Sequence, residues 1–84
     1  MQTYEIREID AIQEDKYLWT WNTSYCVGFF KTKSENPRRA FLEALRKDGI
    51  TFKKGTIRVF DDGDILIIEA RKTDEPLYAA IPVY

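Results

Sequence analysis

An α+β fold, with an antiparallel sheet and one helix packed on one of its faces, is what this chain of 84 residues predicts. Three observations lead there. Period-two alternation rich in aromatic residues fills the first and last thirds of the chain. A single segment near the middle combines helical spacing with a start signal and a stop signal. The dipeptide Asp62-Gly63 sits between two apolar runs, the strongest short-range hairpin signal. The expected element order is β-β-β-α-β-β-β, in a single domain spanning 1–84.

Tyr4 and Ile6, then Ile9, Ala11 and Ile12, mark an extended first segment whose alternation slips between Ile6 and Ile9. A bulge or a short strand accounts for such a slip. The polar run Gln13-Glu14-Asp15-Lys16 reads as the turn that follows. Tyr17, Trp19 and Trp21 then alternate with Leu18 and Thr20, and Tyr25, Val27 and Phe29 alternate with Cys26 and Gly28. Taking Asn22-Thr23-Ser24 as a three-residue loop pairs Trp21 with Tyr25 and Trp19 with Val27, and puts all the rings on one face. An even loop would oppose rings to small residues, because a one-residue slip flips every side chain.

The helix begins at Asn36-Pro37, a favourable N-cap followed by proline at the first helical position. Ala40, Phe41, Ala44 and Leu45 form one apolar stripe, so the helix lies on a sheet and is not buried all round. Arg39, Glu43 and Lys47 stand four apart on the outer face. Gly49 is the stop, with Ile50 as its apolar clasp. The last third reads as a meander. A two-residue Asp62-Gly63 loop pairs Val59 with Leu66, and a four-residue turn at Lys72–Glu75 pairs Ile68 with Ala79. Ile57, Val59, Leu66, Ile68, Ala70, Leu77, Ala79 and Ile81 then share the core face. Pro82 late in the last strand suits a sheet edge.

A chain this short buries only somewhat over ~60% of its unfolded surface. Its twelve aromatic residues make a small core sufficient. The net charge is −1, which does not describe a chain built around nucleic acid. From Lys31 to Arg58, however, nine basic residues face three acidic ones, giving +6, and the rest of the chain carries −7. Internal complementarity between acidic strands and a basic helix is the plainer reading; a basic face for a polyanion is the sharper one. Cys26 is the only cysteine, so no disulfide forms within the chain, which suits a reducing cytoplasm. The first ten residues have no apolar run and read as no signal peptide. The longest uncharged run, Tyr17 to Phe30, is 14 residues, short of the ~20 needed to span a bilayer, so no membrane association is expected.

Chemistry has few places to reside. With no histidine, the usual neutral-pH base and the commonest transition-metal ligand are missing. Cys26, mid-strand among aromatics, reads as a small buried hydrophobe. No glycine-rich phosphate loop is present. Around Gly63 an EF-hand register fails, because Arg58 and Phe60 fall on ligand positions. No catalytic residue, metal site or cofactor is expected, and an enzyme is the third reading.

The aromatic face of Tyr17, Trp19, Trp21, Tyr25 and Phe29 reads first as core packed under Phe41 and Leu45, and second as a stacking platform for single-stranded nucleic acid. Opposite the expected core face lie Phe60, Ile65, Ile67, Tyr78 and Tyr84, an apolar patch that one helix cannot cover. The segments Trp19-Thr20-Trp21-Asn22 and Thr73-Asp74-Glu75-Pro76-Leu77-Tyr78-Ala79-Ala80-Ile81-Pro82 resemble small proteins of unknown activity carried on mobile elements of gut bacteria. The resemblance spans most of the chain. It implies a bacterial cytoplasmic setting and no functional residues.

The sequence therefore predicts a non-catalytic interaction module, with a protein partner or a second copy in a weak homodimer held by Phe60, Ile65, Ile67, Tyr78 and Tyr84. The alternative is a nucleic-acid-binding accessory protein using Arg38, Arg39, Arg46, Lys47, Lys53 and Lys54.

Overall fold

The computed structural model describes residues 1–16, 18–33 and 35–84. Five strands and one helix follow in the order β1 (Gln2–Asp15), β2 (Leu18–Thr32), α1 (Arg38–Lys47), β3 (Ile57–Asp62), β4 (Ile65–Ala70) and β5 (Pro76–Val83). All strand pairs are antiparallel and the sheet order is β2-β1-β5-β4-β3. The α+β architecture is as expected, but the order is β-β-α-β-β-β.

The missing strand comes from the segment Leu18–Thr32. It was expected to fold back at Asn22-Thr23-Ser24. Instead it runs on as one strand paired along its length with β1, from Gln2↔Thr32 to Asp15↔Leu18. A long first strand offers ladder hydrogen bonds to both halves, and the surplus residues are absorbed as register shifts between Ile6 and Ile9 rather than as a turn. Arg7 stands at this irregularity. Its guanidinium donates to the Ser24 carbonyl at 2.7 Å and pairs with Glu5, supplying a partner to backbone left outside the ladder.

The slip read in β1 has a different cause from a bulge in that strand. Ile6 is buried in the cluster under the helix, whereas Ile9 is buried in a second cluster on the other side. Being an odd number of residues apart, they face opposite ways. The strand is covered on one face at its start and on the other further along.

The helix follows its sequence signals except at its start, where Pro37 rather than Asn36 is the N-cap and makes no side-chain cap bond. Asn36 Oδ1 accepts the Arg38 backbone N–H at 3.3 Å, and the Phe41 N–H bonds to the Pro37 carbonyl at 2.9 Å. At the other end Gly49 adopts φ 81°. The Ile50 and Gly49 N–H groups bond to the carbonyls of Leu45 and Arg46, a Schellman closure. Phe41 and Leu45 are fully buried against Ile6, Leu66, Ile68 and Ala80. Three rings stack from sheet to helix: Tyr4 on Phe30 at 5.0 Å, and Phe30 on Phe41 at 5.8 Å.

Phe30 thus occupies the place expected for the other aromatic set. Trp21, Tyr25 and Phe29 do not pack under the helix; Tyr25 is 75% and Phe29 62% exposed. Phe29 pairs with Glu5 and Phe30 with Tyr4, so the parity of the β1–β2 register turns Phe30 inward and Phe29 outward. Tyr17 lies outside the described residues. Cys26, expected to be buried, is exposed, because it belongs to an edge strand at the register shift.

In the meander the turn between β3 and β4 is Gly63-Asp64, with Gly63 at φ 63° in the first turn position, the type II′ pattern. Val59 pairs with Ile68 and Phe60 with Ile67, two residues from the expected register. An even shift leaves every side chain on its expected face. The next turn departs by an odd step. Ala70 N–H bonds to the Glu75 carbonyl, Asp74 takes φ 58°, and a register shift follows between Ile68 and Glu69. Ile68 therefore pairs with Tyr78 and Ile67 with Ala79. Tyr78 and Ala80 join the helix-side cluster, where Tyr78 meets Phe52 edge to face, while Ala79 and Ile81 go to the opposite face.

Candidate functional site

The second face of the sheet has its own core. Ile9, Ile67 and Ala79 are buried there, with Phe60, Ile65, Ala11 and Ile81 packed around them. β1 pairs with β5 only from Thr3 to Glu8. Beyond Glu8 the hairpin arm of β1 and β2 leaves the meander and stands over this face. The Trp19 indole N–H ties it down, donating to the Thr73 carbonyl at 3.0 Å.

Between arm and sheet lies a cleft of about 460 Å³, within the usual size range of ligand sites. Leu18, Trp19 and Trp21 come from the arm, and Phe60, Ile67 and Pro76 from the sheet. Arg58, Asp62, Glu69 and Asp74 supply its charged groups. Arg58 bonds to Glu69 and to Asp74, each at 2.8 Å. Three carboxylates against one guanidinium leave the cleft acidic, with Asp62 exposed at its rim.

Burial raises the Glu69 carboxyl above its ordinary value near 4.5; Arg58 pulls it back and Asp74 adds to the rise. A carboxyl with a raised folded-state pKa holds its proton more tightly folded than unfolded. Its contribution to stability therefore declines as pH rises from about 4 through the raised value. Relative to Glu69→Gln, the native chain should lose melting temperature as pH rises from about 4. Parallel melting profiles for the two proteins would show that Arg58 offsets burial completely.

Of the residues expected to form a partner surface, Phe60 and Ile67 line this cleft and Ile65 packs beside them. Tyr78 does not belong, since its register places it under the helix. Tyr84 is 94% exposed at the chain end, its hydroxyl donating to Asp64 at 3.3 Å. Nor is the patch open: Ile67 is only 2% exposed. Of the acidic residues of the cleft, Asp62 stands out in the sequence only as part of the Asp61, Asp62 and Asp64 turn cluster and Glu69 only in the failed EF-hand register; nothing in the sequence joins them to Asp74 or to the tryptophans.

The basic set is divided. Arg38 pairs with Asp61 of β3 at 3.4 Å, the complementarity between helix and strand that the charge pattern predicts, and Arg39 with Glu43 within the helix at 3.7 Å. Arg46, Lys53 and Lys54 gather instead around a separate cavity on the helix side, and Lys47 faces away from it. Among the described residues no group of three acids or cysteines is placed to hold a metal ion, and no helix is long and apolar enough to cross a membrane. Comparison with protein-family models, with curated proteins and with solved structures finds no match for this chain.

Proposed function

We propose that the chain is a small non-catalytic binding module that receives a basic segment of a protein partner in the cleft beneath the hairpin arm. One observation carries this reading: two tryptophans and a phenylalanine line a cleft whose charge is net negative. A lysine or arginine side chain suits such a site twice over. Its aliphatic stem packs on the rings, and its charge is held both by cation–π attraction and by Asp62. A cytoplasmic bacterial setting, with the resemblance to mobile-element proteins, belongs to the same reading.

Trp19 and Trp21 are the only tryptophans, so intrinsic fluorescence reports on the cleft directly. An acetylated Lys-Leu-Lys-Leu peptide should change the emission saturably, and a Glu-Leu-Glu-Leu peptide should not. Asp62→Lys, at an exposed position, should weaken the basic peptide by about tenfold or more without changing the fold. Equal response to both peptides, or none at millimolar concentration, would refute the reading. Sedimentation of the free chain at several concentrations checks whether a second copy occupies the site instead.

The nucleic-acid reading draws on Arg46, Lys47, Lys53 and Lys54. It requires affinity for DNA or RNA that falls steeply with salt as counterions are released. Absence of any shift with either polymer at low salt would retire it.

A further inference from the structure

We propose that the cavity on the helix side binds a small amphipathic anion: an acyl or aryl body carrying one carboxylate, sulfate or phosphate. The cavity is an open groove of about 390 Å³ between the second half of α1 and the segment leading into β3. Leu42, Ile50, Phe52 and Ile57 make its apolar surface. Arg46, Lys53 and Lys54 line it too, and among the described residues no carboxylate does.

The local chain holds this arrangement. The Schellman closure at Gly49 turns Ile50 back toward the helix. Thr56 then clamps the following turn, its N–H and its hydroxyl both bonding to the Lys53 carbonyl, at 3.1 and 2.6 Å. Arg71 ties the turn to the meander through the carbonyls of Thr56 and Ile57, both at 2.9 Å. Lys53 and Lys54 are thereby presented from an anchored turn.

Charge identifies the occupant. Arg7, Arg38, Arg39 and Arg58 each have an acidic partner, whereas Arg46, Lys53 and Lys54 form no ion pair among the described residues. The C-terminal pole of α1 carries roughly half a negative charge. That pole offsets part of one cation and leaves the rest uncompensated. Three cations around an apolar floor match a ligand with one charged end and one apolar body. A nucleic-acid strand calls for a longer cationic track along its phosphates. That track is interrupted here, because Arg38 and Arg39 are matched by Asp61 and Glu43.

Octanoate, octylammonium, sulfate and a ten-residue oligothymidylate test the proposal by calorimetry and by chemical-shift mapping. Octanoate should bind saturably and shift the methyl signals of Leu42, Ile50 and Ile57. Octylammonium and sulfate alone should each bind about tenfold more weakly or worse. The exposed pair Lys53→Glu and Lys54→Glu, made together, should lose octanoate affinity by about tenfold or more while melting like the native chain. The proposal is overturned if octylammonium equals octanoate, if the double variant binds unchanged, if the shifts map to Trp19 and Trp21, if the oligonucleotide binds and octanoate does not, or if octanoate fails to bind at ~10 mM. Because this cavity shares no lining residue with the acidic cleft, its outcome is independent of the basic-peptide titration.

Discussion

Phe41→Ala should lower the free energy of unfolding by about 3–5 kcal/mol. The Phe41 side chain is fully buried and ends the ring stack that begins at Tyr4 and passes through Phe30. Truncation removes the ring's transfer free energy and leaves a void between helix and sheet. The neighbours cannot close that void without breaking the stack. Small domains have total stabilities of about 5–15 kcal/mol, so the variant should be largely unfolded in moderate urea. Urea denaturation followed by far-ultraviolet circular dichroism measures this directly. Glu43→Ala on the exposed face of the same helix is the control, and its curve should overlay the native one. A native-like midpoint for Phe41→Ala would mean that the helix does not rest on this face of the sheet.

Ile67→Glu should be more damaging still at neutral pH, costing about 4 kcal/mol or more. From sequence alone Ile67 belongs to an exposed patch, where a glutamate would merely abolish self-association. In the folded chain it is 2% exposed and packed with Ile9, Ala79 and Phe60. The cleft's one cation, Arg58, is already bonded to Glu69 and Asp74, so a carboxylate there must either lose its solvation or stay protonated. Burial of this kind raises the folded-state pKa, so stability should recover as pH falls and the side chain takes up its proton. Circular dichroism at about pH 7 and about pH 4.5, with sedimentation at both, separates the two descriptions. A well-folded monomer at neutral pH would place Ile67 on an open surface and sink the two-core description of the sheet.

These two residues mark the boundary between what is local and what is not. The helix was legible because its determinants lie within fifteen residues of one another. Phe41 and Leu45 line its inner face and Gly49 ends it, as the spacing predicts, and its start is displaced by one residue, from Asn36 to Pro37. The β3–β4 faces were legible too. The turn moved to Gly63-Asp64, but an even displacement keeps Val59 and Ile68 inward and Phe60 and Ile67 outward.

The candidate cleft was legible only in its apolar half. Phe60 and Ile67 followed from alternation, while Trp19 and Trp21, expected under Phe41 and Leu45, lie on the opposite face. Whether Leu18–Thr32 is one strand or two depends on β1 being long enough to pair with all of it, and no residue inside the segment states that length. Whether Tyr78 faces helix or cleft depends on one residue of slip around Asp74, a non-glycine position at φ 58°. Alternation, capping and the choice of an α+β class are properties of neighbours in the chain, and the sequence determines them by itself. Strand count, the side taken by Tyr78 and the bending of the Trp19 arm over a second core were decided by tertiary structure. Register across strands is fixed by the sum of distant pairings, and an odd step anywhere in that sum reverses a face.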